Sequence, residues 1–82
     1  MPALVMRYAI GGPDIEKLAQ IFLEIGGRGG LERTAQMLGC HRETLSRGLR
    51  RGTFGTAVGR KIIDGVKQKY PEVESMMVFK CR

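Results

Sequence analysis

Leu31-Glu-Arg-Thr-Ala-Gln-Met-Leu-Gly-Cys-His-Arg-Glu-Thr-Leu-Ser-Arg-Gly-Leu-Arg50 carries the pattern of two short helices meeting at a sharp turn. Such a pair needs a small residue where the helices cross, and Ala35 supplies it. It needs a backbone able to take positive φ at the turn four residues later, which Gly39 provides. Leu38 before the turn, Cys40 after it and Leu45 in the second helix are the apolar contacts that lock the pair. Each requirement is cheap alone; all of them in register predict a helix-turn-helix over residues 31–51.

On the second helix, expected from about His41 to Arg51, a helical wheel puts Leu45, Leu49 and Gly48 on the buried side. It puts Glu43, Ser46, Arg47, Arg50 and Arg51 outward. Gly48 lowers helix propensity by about 1 kcal/mol relative to Ala, so a close contact with the first long helix is its expected reason. That long helix is predicted over about residues 13–26. Pro13 falls in its first turn, and Ile15, Leu18, Ile21, Phe22 and Ile25 are spaced by three and four. Gly26-Gly27-Arg28-Gly29-Gly30 reads as a flexible joint. Gly52-Thr53-Phe54-Gly55 reads as a loop with Phe54 as a core plug. Thr56 is positioned to cap a further helix over about 57–69, closed by Pro71.

Residues 1–12 read as an extended arm or strand, 13–70 as the helix-turn-helix domain, and 71–82 as a tail with a dimerising role. The tail leaves two readings open, since Met76 to Cys81 alternates like a strand while Pro71-Glu72 suits the start of a short helix. The fold class expected is mainly α: a compact bundle of four to five helices with a central helix-turn-helix and possible short terminal β-strands.

The run Thr34-Ala35-Gln36-Met37-Leu38-Gly39, followed by Arg42-Glu43-Thr44-Leu45 and Leu49, resembles the Fis-type helix-turn-helix. It is also similar to the phage Cro and lambda-type repressors, which share the Thr-Ala pair, the Leu-Gly turn and a glycine closing the second helix, here Gly52. The likeness covers about 22 of the 82 residues. His41 stands where Ser or Asn often caps the second helix, and Gly48 replaces a larger apolar residue. The 30 residues that follow Gly52 favour the phage-repressor arrangement over a Fis-type module at a chain's end. The resemblance implies binding of double-stranded DNA.

Charge points the same way. The chain carries 14 Lys and Arg against 8 Asp and Glu, a net +6. Between Arg28 and Lys61 there are eight bases and two acids, while the flanking segments balance at six of each. The whole excess therefore sits in the middle of the chain, as a polyanion-binding surface requires. A solvated basic face is the plain alternative.

A recognition helix presents its N-terminal and outward residues to base edges in the major groove. His41, Arg42, Glu43, Ser46, Arg47 and Arg50 are the expected base readers. Arg42 and Arg47 suit guanine and Glu43 suits a cytosine amine, at about 1–3 kcal/mol of discrimination each. Arg28, Arg33, Thr44, Arg51, Arg60 and Lys61 are the expected phosphate contacts, which set affinity and register. The plain readings are solubilising charges for the arginines, a turn residue for His41 and a small core filler for Cys40. Arg28, set in a single Gly-Gly-Arg-Gly-Gly, reads as part of a joint more readily than as an RNA-binding unit. Leu4, Val5, Tyr8, Met76, Met77, Val78 and Phe79 are expected to form a dimer surface, being apolar and near the termini.

Other chemistries find less support. With His41 the one histidine and Cys40 and Cys81 the two cysteines, no metal set is expected, and reduced thiols are. Gly55-Thr-Ala-Val-Gly59-Arg60-Lys61-Ile62 has three residues between its glycines instead of four and no Ser or Thr after the lysine, so it is no phosphate loop. No nucleophile and base set can be assembled, and enzyme activity is not expected. No apolar run approaches the roughly 20 residues of a membrane span. Met1 to Met6 lacks the make-up of a signal peptide, so a cytoplasmic location is expected.

The resulting expectation is a sequence-specific regulator, a repressor first, binding a pseudo-palindromic operator as a homodimer. It needs no cofactor and no small-molecule effector. The alternatives are an adaptor or inhibitor of a mobile element that reuses the helix-turn-helix as a protein-docking surface, and a non-specific architectural nucleic-acid binder.

Overall fold

The computed structural model describes residues 6–81. In chain order the elements are β1 (Met6–Ala9), α1 (Gly12–Gly26), a single 3-10 turn (Gly27–Gly29), α2 (Gly30–Leu38) and α3 (Arg42–Arg51). Then come β2 (Thr53–Gly55), α4 (Thr56–Val66), α5 (Glu72–Met76) and β3 (Val78–Cys81). The fold is thus mainly helical, with a small antiparallel sheet in the order β2-β1-β3.

Helix α1 starts after an extended Gly11, with Pro13 and Asp14 in its first turn, and buries Leu18, Ile21 and Phe22. The expected loose joint is instead an ordered 3-10 turn, entered and left through glycines at positive φ (Gly27 at 57°, Gly30 at 61°). Thr34, wholly buried, staples α2 to α1. Its hydroxyl donates to the Phe22 carbonyl and lies 3.1 Å from that of Gly30. Gly26 leaves the space for this, because a Cβ there would meet Thr34.

Helix α2 ends as its sequence predicts. Gly39 takes the left-handed conformation (φ 78°, ψ 35°). The Cys40 amide donates to Ala35 at 2.9 Å and the Gly39 amide to Gln36 at 3.2 Å, the paired bonds of a Schellman turn. His41 is the extended residue before α3, and its side chain makes no capping bond. Gly52 (φ 75°) closes α3, and its carbonyl accepts from the Ile10 amide at 2.9 Å, tying the end of α3 to the strand region.

Four sequence expectations need correction. Residues 53–55 are not a loop: they form β2, paired with β1 through Arg7–Gly55, Tyr8–Phe54 and Ala9–Thr53. Phe54 is the expected plug at 1% exposure, and the strand is how the chain inserts it. Gly48 makes room for the Phe54 ring, not for α1, and a Cβ there would overlap that ring. Thr56 does not cap α4; its hydroxyl donates to the Met6 carbonyl at 2.8 Å, bracing β1. Helix α4 stops at Val66, short of the expected 69, and the following turn is closed by the Tyr70 amide on the Val66 carbonyl at 2.7 Å.

The tail uses both of its readings in succession, a helix over 72–76 and a strand over 78–81. That division removes three residues from the expected dimer surface. Tyr8 (7% exposed), Met76 (7%) and Met77 (4%) are spent on the chain's own core. Tyr8 packs against Gly59 of α4, with no room for a Cβ between them, and its ring lies 4.9 Å from that of Phe79. Val78 and Phe79 do stay half exposed on β3. Leu4 and Val5 lie outside the described residues.

Candidate nucleic-acid interface

Helix α3 is held from one side only. Leu45 is fully buried, Gly48 is buried against Phe54, and Leu49 packs partly on the core. That grip leaves Arg42, Glu43, Arg47, Arg50 and Arg51 exposed, with Thr44 and Ser46 half-buried at the margins. A shallow cleft of about 460 Å³ runs along the exposed side, lined by Arg42, Glu43, Ser46, Arg47 and Arg50, with Leu31 of α2 as its wall. Five of the six expected base readers therefore share one surface. His41 lies around the start of the helix, in clefts with Gln36 and Cys40.

The electrostatics are lopsided. Glu43 lies 4.0 Å from Arg47 across one helical turn, with both side chains largely exposed, so the pair contributes little to stability. Among the described residues Arg42, Arg50 and Arg51 form no ion pair, and their charge faces solvent. Arg50 and Arg51 in the last turn also oppose the negative end of the helix dipole, which is a structural use for their charge.

The expected phosphate contacts scatter more widely. Thr44 and Arg51 lie on α3 and line a smaller cleft with Arg47. Lys61 has a structural partner: its Nζ donates to the Gly39 carbonyl at 2.9 Å and holds the turn between α2 and α3 from α4. Its charge also opposes the effect of burial on Cys40, where burial dominates and pushes the thiol above its ordinary 9.0. Arg60 sits beside the Tyr8 hydroxyl, with Asp64 and Glu74 near. Those neighbours raise its guanidinium pKa further, the tyrosine contact foremost. Arg28 lies exposed in the 3-10 turn and Arg33 exposed on α2, its stem close over Gly29. Neither lines the clefts described above.

Arg7 is a residue that sequence reading missed. It stands on β1 opposite Gly55 on one side and Lys80 on the other, and it lines the small cleft with Arg47 and Arg51. No local signal reveals it, because its place beside α3 depends on strand pairing between distant segments.

Among the described residues no group of His, Cys, Asp and Glu could hold a metal ion, and no helix is long and apolar enough to cross a membrane. The fold and surface together define a small, mainly helical protein built around a helix-turn-helix with a basic exposed helix. Compared with known proteins, the chain matches no family model, no curated protein and no solved structure.

Proposed function

We propose that this protein is a sequence-specific regulator of transcription, binding double-stranded DNA with α3 in the major groove and acting by occlusion, as a repressor, in the cytoplasm. The observation that carries the reading is the division of α3. One side is fixed to the core by Leu45 and Gly48, and the other offers Arg42, Arg47 and Arg50 to solvent on a rigid element. Arginine forks match the O6 and N7 acceptors of guanine, and the lone carboxylate of Glu43 suits a cytosine amine. One such helix reads only a few base pairs. A homodimer on a pseudo-palindrome, with recognition helices about 34 Å apart, supplies the rest. Val78 and Phe79, half exposed on β3, are the residues proposed to meet the second copy.

Selection of bound duplexes from a random pool tests this directly. An enriched inverted repeat is expected. Arg47→Ala should then narrow the gap between the selected and random duplexes by about 1–3 kcal/mol, the worth of one bidentate base contact. Equal affinity for all duplexes, falling together with salt, would replace this reading with the architectural one. Weak binding to every duplex would leave the protein-docking one.

A further inference from the structure

We infer that the cleft between the outer face of the sheet and α3 seats a backbone phosphate of bound duplex DNA, with Arg7 of β1 as the grip that the sheet contributes. The inference rests on the DNA-binding reading of α3 and adds a second element, the sheet, to that interface.

The strand register sets the geometry. Tyr8 pairs with Phe54 and Phe79, and the Tyr8 and Phe54 rings are buried, so that face of the sheet is the core face. Alternation puts Arg7 on the opposite face, in register with Gly55 and Lys80. Gly52 turns the chain directly from α3 into β2, so this outer face begins where the helix ends. A cleft of about 230 Å³ lies at the junction, lined by Arg7, Thr44, Arg47, Arg51 and Thr53 together with Phe54 and Gly55 of β2.

The lining carries three guanidinium groups and two hydroxyl-bearing side chains and no carboxylate, though Glu43, outside it, lies 4.0 Å from Arg47. A phosphodiester, with a single negative charge and two free oxygens, matches that donor set. Arg47 lines both this cleft and the larger one along the base-facing side of α3. A duplex laid along α3 therefore brings one of its backbones over the sheet edge, and Lys80, beside Arg7, extends the basic strip toward β3. A free anion would meet only the small cleft and gain nothing from the rest.

The test measures binding of a labelled random-sequence duplex across a salt series, with the full chain. Wild type, Arg7→Ala, Arg7→Lys and Thr53→Glu are compared with Lys17→Ala, a control on α1 whose ammonium faces Glu72. Arg7→Ala is expected to flatten the slope of log affinity against log salt by about 0.9, one phosphate contact. It should leave the ratio of selected to random duplex unchanged. Arg7→Lys should restore the slope, and Thr53→Glu should weaken all duplexes alike while Arg7 stays in place, which keeps the test open if Arg7→Ala unfolds. A wild type that binds no duplex overturns the DNA-binding reading and this one with it. A wild type that binds while Arg7→Ala and Thr53→Glu behave like Lys17→Ala overturns the phosphate seat alone. Saturation by inorganic phosphate at sub-millimolar concentration, followed by NMR, would overturn it in favour of a free-anion site.

Discussion

Gly48 lies inside α3, where Ala would ordinarily gain about 1 kcal/mol of helix propensity. A Cβ at that position would collide with the Phe54 ring, which is buried and fixed by its strand. Overpacking of this kind costs about 1–3 kcal/mol, so packing outweighs propensity. Gly48→Ala should lower unfolding free energy in urea, and a stabilised variant would show that the ring has room to move. Sequence reading found the need for a close neighbour at Gly48 but named the wrong one, because the wheel gives direction without identity. Cys40 permits a second test at this level. Burial raises its thiol pKa, with Lys61 partly opposing. The folded state thus holds the thiol proton more tightly than the unfolded chain does. The stability linked to it is complete below the unfolded value and is lost as pH rises through the raised folded one. In a Cys81→Ser background, alkylation of Cys40 should show a rate midpoint above 9.0, moving higher still in Lys61→Met. A midpoint at or below 9.0 would contradict the burial argument.

The turn between α2 and α3 sets the angle at which α3 leaves the body, so a change at Gly39 acts on the element rather than on a contact. Nothing lies within 4 Å of a Cβ built at Gly39, and its φ is 78°. The penalty for a side chain there is conformational alone. Gly39→Ala should cost about 1–2 kcal/mol, and Gly39→Asn less, since Asn tolerates the left-handed region. Thermal unfolding of the pair checks the order, and equal losses would mean that the turn relaxes. Such local devices explain why the helices were legible. Ala35, Gly39, Leu45 and Gly52 each announce a role within a few residues of where it is played. The strand β2 was not legible: three residues cannot show alternation, and their partner in β1 lies more than 40 residues earlier. The cap assigned to Thr56 failed for the same reason, its hydroxyl being taken by Met6 across that pairing.

At the level of the whole molecule, the charge count by segment found the basic helix but drew its border too tightly. Arg7 comes from the balanced flanks and reaches the cleft beside α3 only because β1 pairs with β2, and Lys80, from the other flank, stands in register with it on β3. Lys61 belongs to the basic middle by sequence and to the turn by structure. The apolar termini were overcounted in a similar way, since Tyr8, Met76 and Met77 fill the core of the single chain. Among the described residues of that set, what remains for a second copy is narrower: Val78 at 48% exposure and Phe79 at 46%, on β3 at the edge of the sheet. An edge strand with unpaired backbone groups and apolar side chains is a template for pairing with another strand. A lysine at Val78 opposes pairing without disturbing the core, because Val78 is in register with Ala9 on the outer face, whereas the Phe79 ring lies against that of Tyr8. Val78→Lys should therefore keep the helical circular dichroism of the parent while sedimentation shifts from dimer to monomer at equal concentration. Affinity for an inverted repeat should fall toward that for a single half-site. If the parent already sediments as a monomer, the two-fold arrangement is lost, while the groove-facing assignment of α3 stands on its own exposed arginines. If Val78→Lys stays dimeric, the copies meet elsewhere than at β3.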